Sequence, residues 1–114
     1  MDKCIAIALI TISTLLSAQQ GKGSYYGKTH HGKKTASGEI FDKNKLTAAS
    51  NTYKLGTMLR VTNTANNKSV IVKVNDTGSF TKKYQRIIDL SEVAFKTIAN
   101  LKQGIITVIV EKIE

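Results

Sequence analysis

Residues 57–75, "TMLRVTNTANNKSVIVKVN", decide the fold. Two runs rich in β-branched residues, Thr57 to Asn63 and Ser69 to Asn75, flank the five-residue stretch "TANNK". Branched side chains fit the pleated surface of a strand. The Asn66-Asn67 pair tolerates left-handed backbone, so the spacing predicts a hairpin. Val70, Val72 and Val74 fall on one face of the second strand, and that face needs an apolar partner.

Working outward, the C-terminal run "GIITVIVEKI" supplies another strand. Its two faces carry Ile106, Val108, Val110 and Lys112, and Ile105, Thr107, Ile109 and Glu111. Apolar residues on both faces predict a position inside a barrel rather than at an open edge. Thr47 to Ala49 and Ser24 to Tyr26 are short strand candidates. Residues 89–101, "DLSEVAFKTIANL", place Leu90, Ala94, Ile98 and Leu101 at helical spacing, with Ser91 suited to cap and Gly104 to terminate. Short strands, one helix and no proline describe one small, mainly β barrel with long loops. A chain of 114 residues is too short for two cores.

The N-terminus, "MDKCIAIALITISTLLSAQQ", has a lysine, an apolar run from Cys4 to Leu16, and small residues ending at Ala18. That is the pattern of a secretory signal peptide. The run falls short of the roughly 20 apolar residues a membrane span requires. The expected organisation is a signal peptide over 1–18 and a barrel domain over 19–114. Removing the leader takes away Asp2, Lys3 and the single cysteine, Cys4, leaving sixteen basic and seven acidic residues, so the net charge stays at +9. Such a charge attracts polyanions. Nucleic acid is disfavoured by the export signal and by the absence of a recognition motif. An envelope polymer or an anionic surface fits better.

The blocks "SYYGKTHHGKKTASGEIFDKNKLTAAS", "KLGTMLRVTN", "KSVIVKVNDTGSF" and "RIIDLSEVAF" occur in order over about residues 23–112. Together they closely resemble the rare lipoprotein A (RlpA)-like double-psi β-barrel family. The resemblance implies a six-stranded double-psi barrel with one short helix, acting as an endolytic peptidoglycan lytic transglycosylase. Such enzymes cut the MurNAc–GlcNAc linkage and leave a 1,6-anhydro end. It also implies the bacterial periplasm or cell envelope as location, glycan strands as partner, and cell-division or cell-wall proteins as further candidate partners. Gln19 stands where an acylated cysteine would, so a soluble exported form without stable membrane insertion is expected.

The family's acidic pair falls on Glu39 and Asp76. Glycosidic cleavage needs a proton for the leaving oxygen and a carboxylate near the growing positive charge. With the sugar's own C6 hydroxyl as nucleophile, effective molarities on the order of 10⁵ M let one acid/base residue serve both steps. If strand alternation continued past Val74, Asp76 would share the apolar face, where desolvation makes a better acid. The turn at Gly78 could break that parity, and an Asx-turn is the competing structural reading for Asp76. A surface-loop residue is the competing one for Glu39.

Tyr25 and Tyr26 are candidate sugar platforms, with core packing as the alternative for at least one. His31, matching the family's "HG", Ser50, at the place of the family's histidine after "TAA", and Asn75, beside the acid, complete the expected substrate contacts. Asp89 reads as a structural acid ahead of the helix. No metal or cofactor is expected, because two adjacent histidines do not supply a ligand set. The family's "NDRGPF" is "NDTGSF" here, and Ser50, Thr77 and Ser79 leave a non-catalytic, expansin-like glycan-binding module as the alternative.

Overall fold

The computed structural model describes residues 18–26, 30–78 and 85–113. Six strands close into a barrel: β1 Ala18–Tyr25, β2 Thr47–Ala49, β3 Met58–Asn63, β4 Ser69–Asp76, β5 Arg86–Leu90 and β6 Ile106–Lys112. Their order around the barrel is β1-β5-β2-β4-β3-β6. The pairs β1–β5 and β2–β4 are parallel, and the other four are antiparallel. Closure removes the free edges that an open sheet would present.

The β3–β4 hairpin forms as expected, with Val61 opposite Val70 and Asn67 at φ 60° in the turn. Leu59, Val61, Val72, Val74, Ile88, Leu90 and Val108 are fully buried and fill the interior. The final strand buries Ile106, Val108 and Val110, while Thr107 and Ile109 are half-buried. Gly23 of β1 faces this core: a Cβ there would stand 3.2 Å from Ile88 Cγ2 and 3.3 Å from Val108 Cγ2. The barrel closes tightly at that point because glycine has no side chain.

Three expectations need correction. The first strand is eight residues rather than three, because "AQQGKG" pairs with β6 from Ala18 onward despite its weak β propensity. Residues 86–90 form a strand that periodicity assigned in part to a helix, since "IIDL" inserts between β1 and β2. The helix, α1, is Glu92–Ile98, capped by Ser91 accepting from Ala94 N. It ends where Ala99 turns extended. Asn100 then caps a separate 3-10 turn, Leu101–Gln103, through a reciprocal bond pair with Gln103. Gly104, at φ 70°, therefore terminates that turn and not α1. The side chains of Asn63 and Asn66 donate to Ile98 O at 2.8 and 3.0 Å, so the hairpin satisfies the carbonyl at the helix end.

Residues 1–17 of the expected signal peptide lie outside the described residues, and its last residue, Ala18, begins β1. Among those described, no helix is long and apolar enough to cross a membrane.

Candidate active site

The parallel β2–β4 pair and the antiparallel β2–β5 pair bring the C-terminal ends of β2 and β4 level with Asp89 of β5 at one mouth of the barrel, where Tyr26, just past the end of β1, reaches Asp76. Asp76 ends β4 there, and a β-bulge sets its position. Ala48 pairs with Val74 but Ala49 pairs with Asp76, so Asn75 is the extra residue. The bulge breaks the alternation of Val70, Val72 and Val74. Asn75 turns into the protein, 3% exposed, and Asp76 is half-buried at the mouth rather than on the core face.

Three donors hold the Asp76 carboxyl. Oδ1 accepts from the backbone N–H groups of Ala36 at 3.0 Å and Thr77 at 2.9 Å. Among the described residues, Oδ2 accepts the Tyr26 hydroxyl alone, at 3.3 Å. One oxygen is thus saturated by fixed backbone and the other keeps capacity free for a ligand. The Tyr26 ring stacks on Phe41, with centroids 4.5 Å apart at 9°, and meets His30 edge-on at 5.3 Å. Tyr26, Phe41 and Ala49 form a small second core beneath the mouth. Burial, reinforced by the charges of Asp76 and Asp89, pushes the Tyr26 phenol far above the ordinary tyrosine value.

Beside Asp76 lies a polar cleft of about 290 Å³. Its walls carry Tyr26, His30, Thr77, Gly78 and a second acid, Asp89. Asp89 sits on β5, three residues ahead of α1. Its Oδ1 accepts from Ser24 Oγ and lies 3.9 Å from Arg86 Nη1. Asn51 ties down the cleft's far lip, donating to Gly78 O at 2.6 Å and accepting from Gly78 N at 3.0 Å. A larger groove, about 520 Å³, at the end of α1 is lined by Lys96, Ala99, Asn100, Leu101 and Lys102 and contains no acid.

Glu39 stands outside the cleft's lining. It belongs to the 35–39 loop, which docks along β4 through Ser37 N to Asn75 O at 3.1 Å. Its Oε2 pairs with Lys73 Nζ at 2.9 Å in open solvent. The Lys73 hydrogen bond, with smaller help from Ser37 and Asn75, holds its carboxyl below the usual range. Glu39 is therefore ionised and exposed, on the rim, with its charge partly neutralised.

The expected substrate contacts divide. Tyr26 lines the cleft. Tyr25 points the other way, as strand alternation requires. It packs on Phe95 at 4.7 Å and donates to Leu101 O at 3.0 Å, which makes it a core residue. His31 accepts from Lys43 N at 3.2 Å in the loop, and its neighbour His30 is the histidine at the cleft. Ser50 is 2% exposed, and its Oγ accepts from Thr52 N and Tyr53 N at 3.1 and 3.2 Å. Its own N–H donates to Asp76 O at 3.0 Å, so Ser50 fixes backbone and does not face a ligand. Asn75, turned inward, is no surface contact either. Ser79 lies outside the described residues. Sequence reading missed His30 and Asp89. The only available signal for Asp89 was its position two residues before the helix cap, and that signal favours a structural role.

The sequence model of the family described as lytic transglycolase matches residues 18–110. The endolytic peptidoglycan transglycosylase RlpA of Rickettsia bellii is 49% identical over 96 residues, covering 82% of this chain and 41% of that protein. Its namesake from Neisseria meningitidis serogroup B is 46% identical over 95 residues, covering 83% of this chain and 39% of that protein. The chain thus spans about two fifths of the length of these curated relatives. Among solved structures, the Streptomyces papain inhibitor superposes with a TM-score of 0.67 at 23% identity, over 85% of this chain and 94% of that one. An apo expansin of Clavibacter michiganensis superposes at 0.65 and 22% identity, over 85% and 50%. These two likenesses speak for the barrel alone. By its sequence match along the whole barrel and by its strand order, the chain belongs to the lytic transglycolase family of RlpA-like double-psi β-barrels.

Proposed function

We propose that this barrel is a peptidoglycan lytic transglycosylase domain of the cell envelope, with Asp76 as its single acid/base. The observation that carries the reading is the asymmetry of the Asp76 carboxyl. Oδ1 is held by two backbone N–H groups, and Oδ2 opens on a cleft with one long hydrogen bond. Oδ2 is the oxygen free to exchange a proton.

In the first half of the reaction the protonated Oδ2 delivers its proton to the glycosidic oxygen. The bond from that oxygen to the anomeric carbon of MurNAc breaks, and positive charge grows on the sugar. In the second half the Asp76 carboxylate takes the proton of the same sugar's C6 hydroxyl. The C6 oxygen closes on the anomeric carbon to form the 1,6-anhydro ring. Atoms balance without water, and Asp76 ends protonated as it began. Two further carboxylates favour the cationic state: Asp89 from within the cleft and Glu39 from the rim. Asp89 has the closer access, while Lys73 offsets part of Glu39's field. The basic surface, +9 over the whole chain, supports retention on an anionic wall.

Incubating the protein with purified sacculi and analysing the soluble fraction by mass spectrometry tests the reading. Release of fragments with anhydro-MurNAc ends is expected. Sedimentation with sacculi but no released fragment would contradict it and favour the glycan-binding alternative.

A further inference from the structure

We infer that Tyr26 is a positioning residue for Asp76: a neutral phenol, locked by its ring, that steadies the negative charge appearing on Asp76 Oδ2 as the proton leaves. The inference rests on the acid/base reading above and deepens it. Its basis is geometric. The ring has almost no freedom, since one face lies flat on Phe41 at 4.5 Å, His30 meets it edge-on at 5.3 Å, and the residue is 7% exposed. The hydroxyl of this fixed ring points at Oδ2, the Asp76 oxygen that receives no backbone donor among the described residues.

Consider what Oδ2 requires during turnover. Before the reaction it carries the proton, and a strong donor aimed at it is of little use. The Tyr26 contact, at 3.3 Å, leaves room to shorten. Once the proton passes to the glycosidic oxygen, Oδ2 becomes an anion. A donor already in place stabilises it with no reorganisation. A tyrosine serves only if it does not ionise beside two acids. Its burial between Asp76 and Asp89 ensures this by making the phenolate unfavourable. The contact strengthens along the reaction, so its contribution belongs to the transition state and not to substrate binding. A hydrogen bond to a developing charge of this kind is worth roughly 10- to 100-fold in rate.

The experiment measures kcat and KM on soluble glycan strands for the wild type, Tyr26→Phe, Tyr26→His and Asp76→Asn, each well below its melting temperature. Tyr26→Phe keeps the ring stack and removes only the hydroxyl. A kcat lower by about 10- to 100-fold with KM within about threefold is expected. Tyr26→His, which restores a ring N–H donor, should recover part of the loss. Wild-type kcat in Tyr26→Phe would overturn the inference. So would a raised KM at unchanged kcat, which would make Tyr26 a sugar platform. Should Tyr26→Phe not fold, Tyr26→His decides: a kcat below that of the wild type but well above that of Asp76→Asn, with KM kept, supports the inference, and a wild-type kcat or a KM effect alone overturns it. Full activity in Asp76→Asn would instead defeat the acid/base reading itself, so the two failures are distinguishable.

Discussion

Alkali should weaken this fold through one tyrosine more than through the others. Tyr26 is buried beside Asp76 and Asp89, so its proton is held in the folded state well above the ordinary value. In the unfolded chain it titrates near 10. Folding stability from this group is therefore complete below about pH 10 and is lost as pH rises, because only the unfolded state releases the proton. The full linkage is about 1.4 kcal/mol per pH unit, or roughly 2 kcal/mol by pH 11.5. The hydroxyl faces a wet cleft, and solvent screening reduces that to about 1 kcal/mol. Urea unfolding of wild type and Tyr26→Phe at intervals from pH 9 to 11.5 isolates the contribution, since every lysine and the other three tyrosines are common to both chains. The wild type should lose about 1 kcal/mol more than the variant over that range. Parallel curves would refute the placement of the phenol between the two acids.

The remaining expectations concern the barrel and the rim. Gly23→Ala should cost about 1–3 kcal/mol by thermal melting, because the new methyl group must displace Ile88 and Val108 in a closed interior. Asn51→Ala removes both bonds to Gly78 at an exposed site, so kcat should fall several-fold while the melting temperature barely moves. Lys73→Met frees Glu39 from its cation. The Glu39 carboxyl should then titrate at higher pH by carbon NMR, with unfolding stability unchanged within error, since the pair is in open solvent.

Much of the barrel was legible because its strands carry their own signal. β2 spans the three residues that composition marked, the β3–β4 hairpin follows its branched residues and its asparagines, and β6 follows its alternation. The unread parts lack a local signal. β1 contains two glycines and two glutamines and exists because β5 and β6 flank it, so closure of the barrel decides it and propensity does not. β5 is five residues whose apolar pattern runs on into α1, and no period separates them.

At the site, Asp76 was identifiable from the block "VNDTGSF", but its orientation was not. A single bulge at Asn75 flips every later side chain, and nothing in the residue types announces it. The same bulge turns Asn75 inward. Asp89 reaches the cleft through the pairing of β5 between β1 and β2, a long-range fact, and His30 is placed there by its edge-on contact with the Tyr26 ring. Ser50 shows the opposite limit: at the position where the resemblance placed a substrate contact, its Oγ accepts two backbone N–H groups of the following turn.

In the proposed reaction one carboxyl, Asp76, moves both protons. Asp76→Asn preserves size and an acceptor for the Ala36 and Thr77 N–H groups, so the variant should fold and still bind sacculi. Wild-type protein should release anhydro-ended fragments, and folded Asp76→Asn none measurable above background. Undiminished release by the variant, with the same anhydro ends, would contradict it.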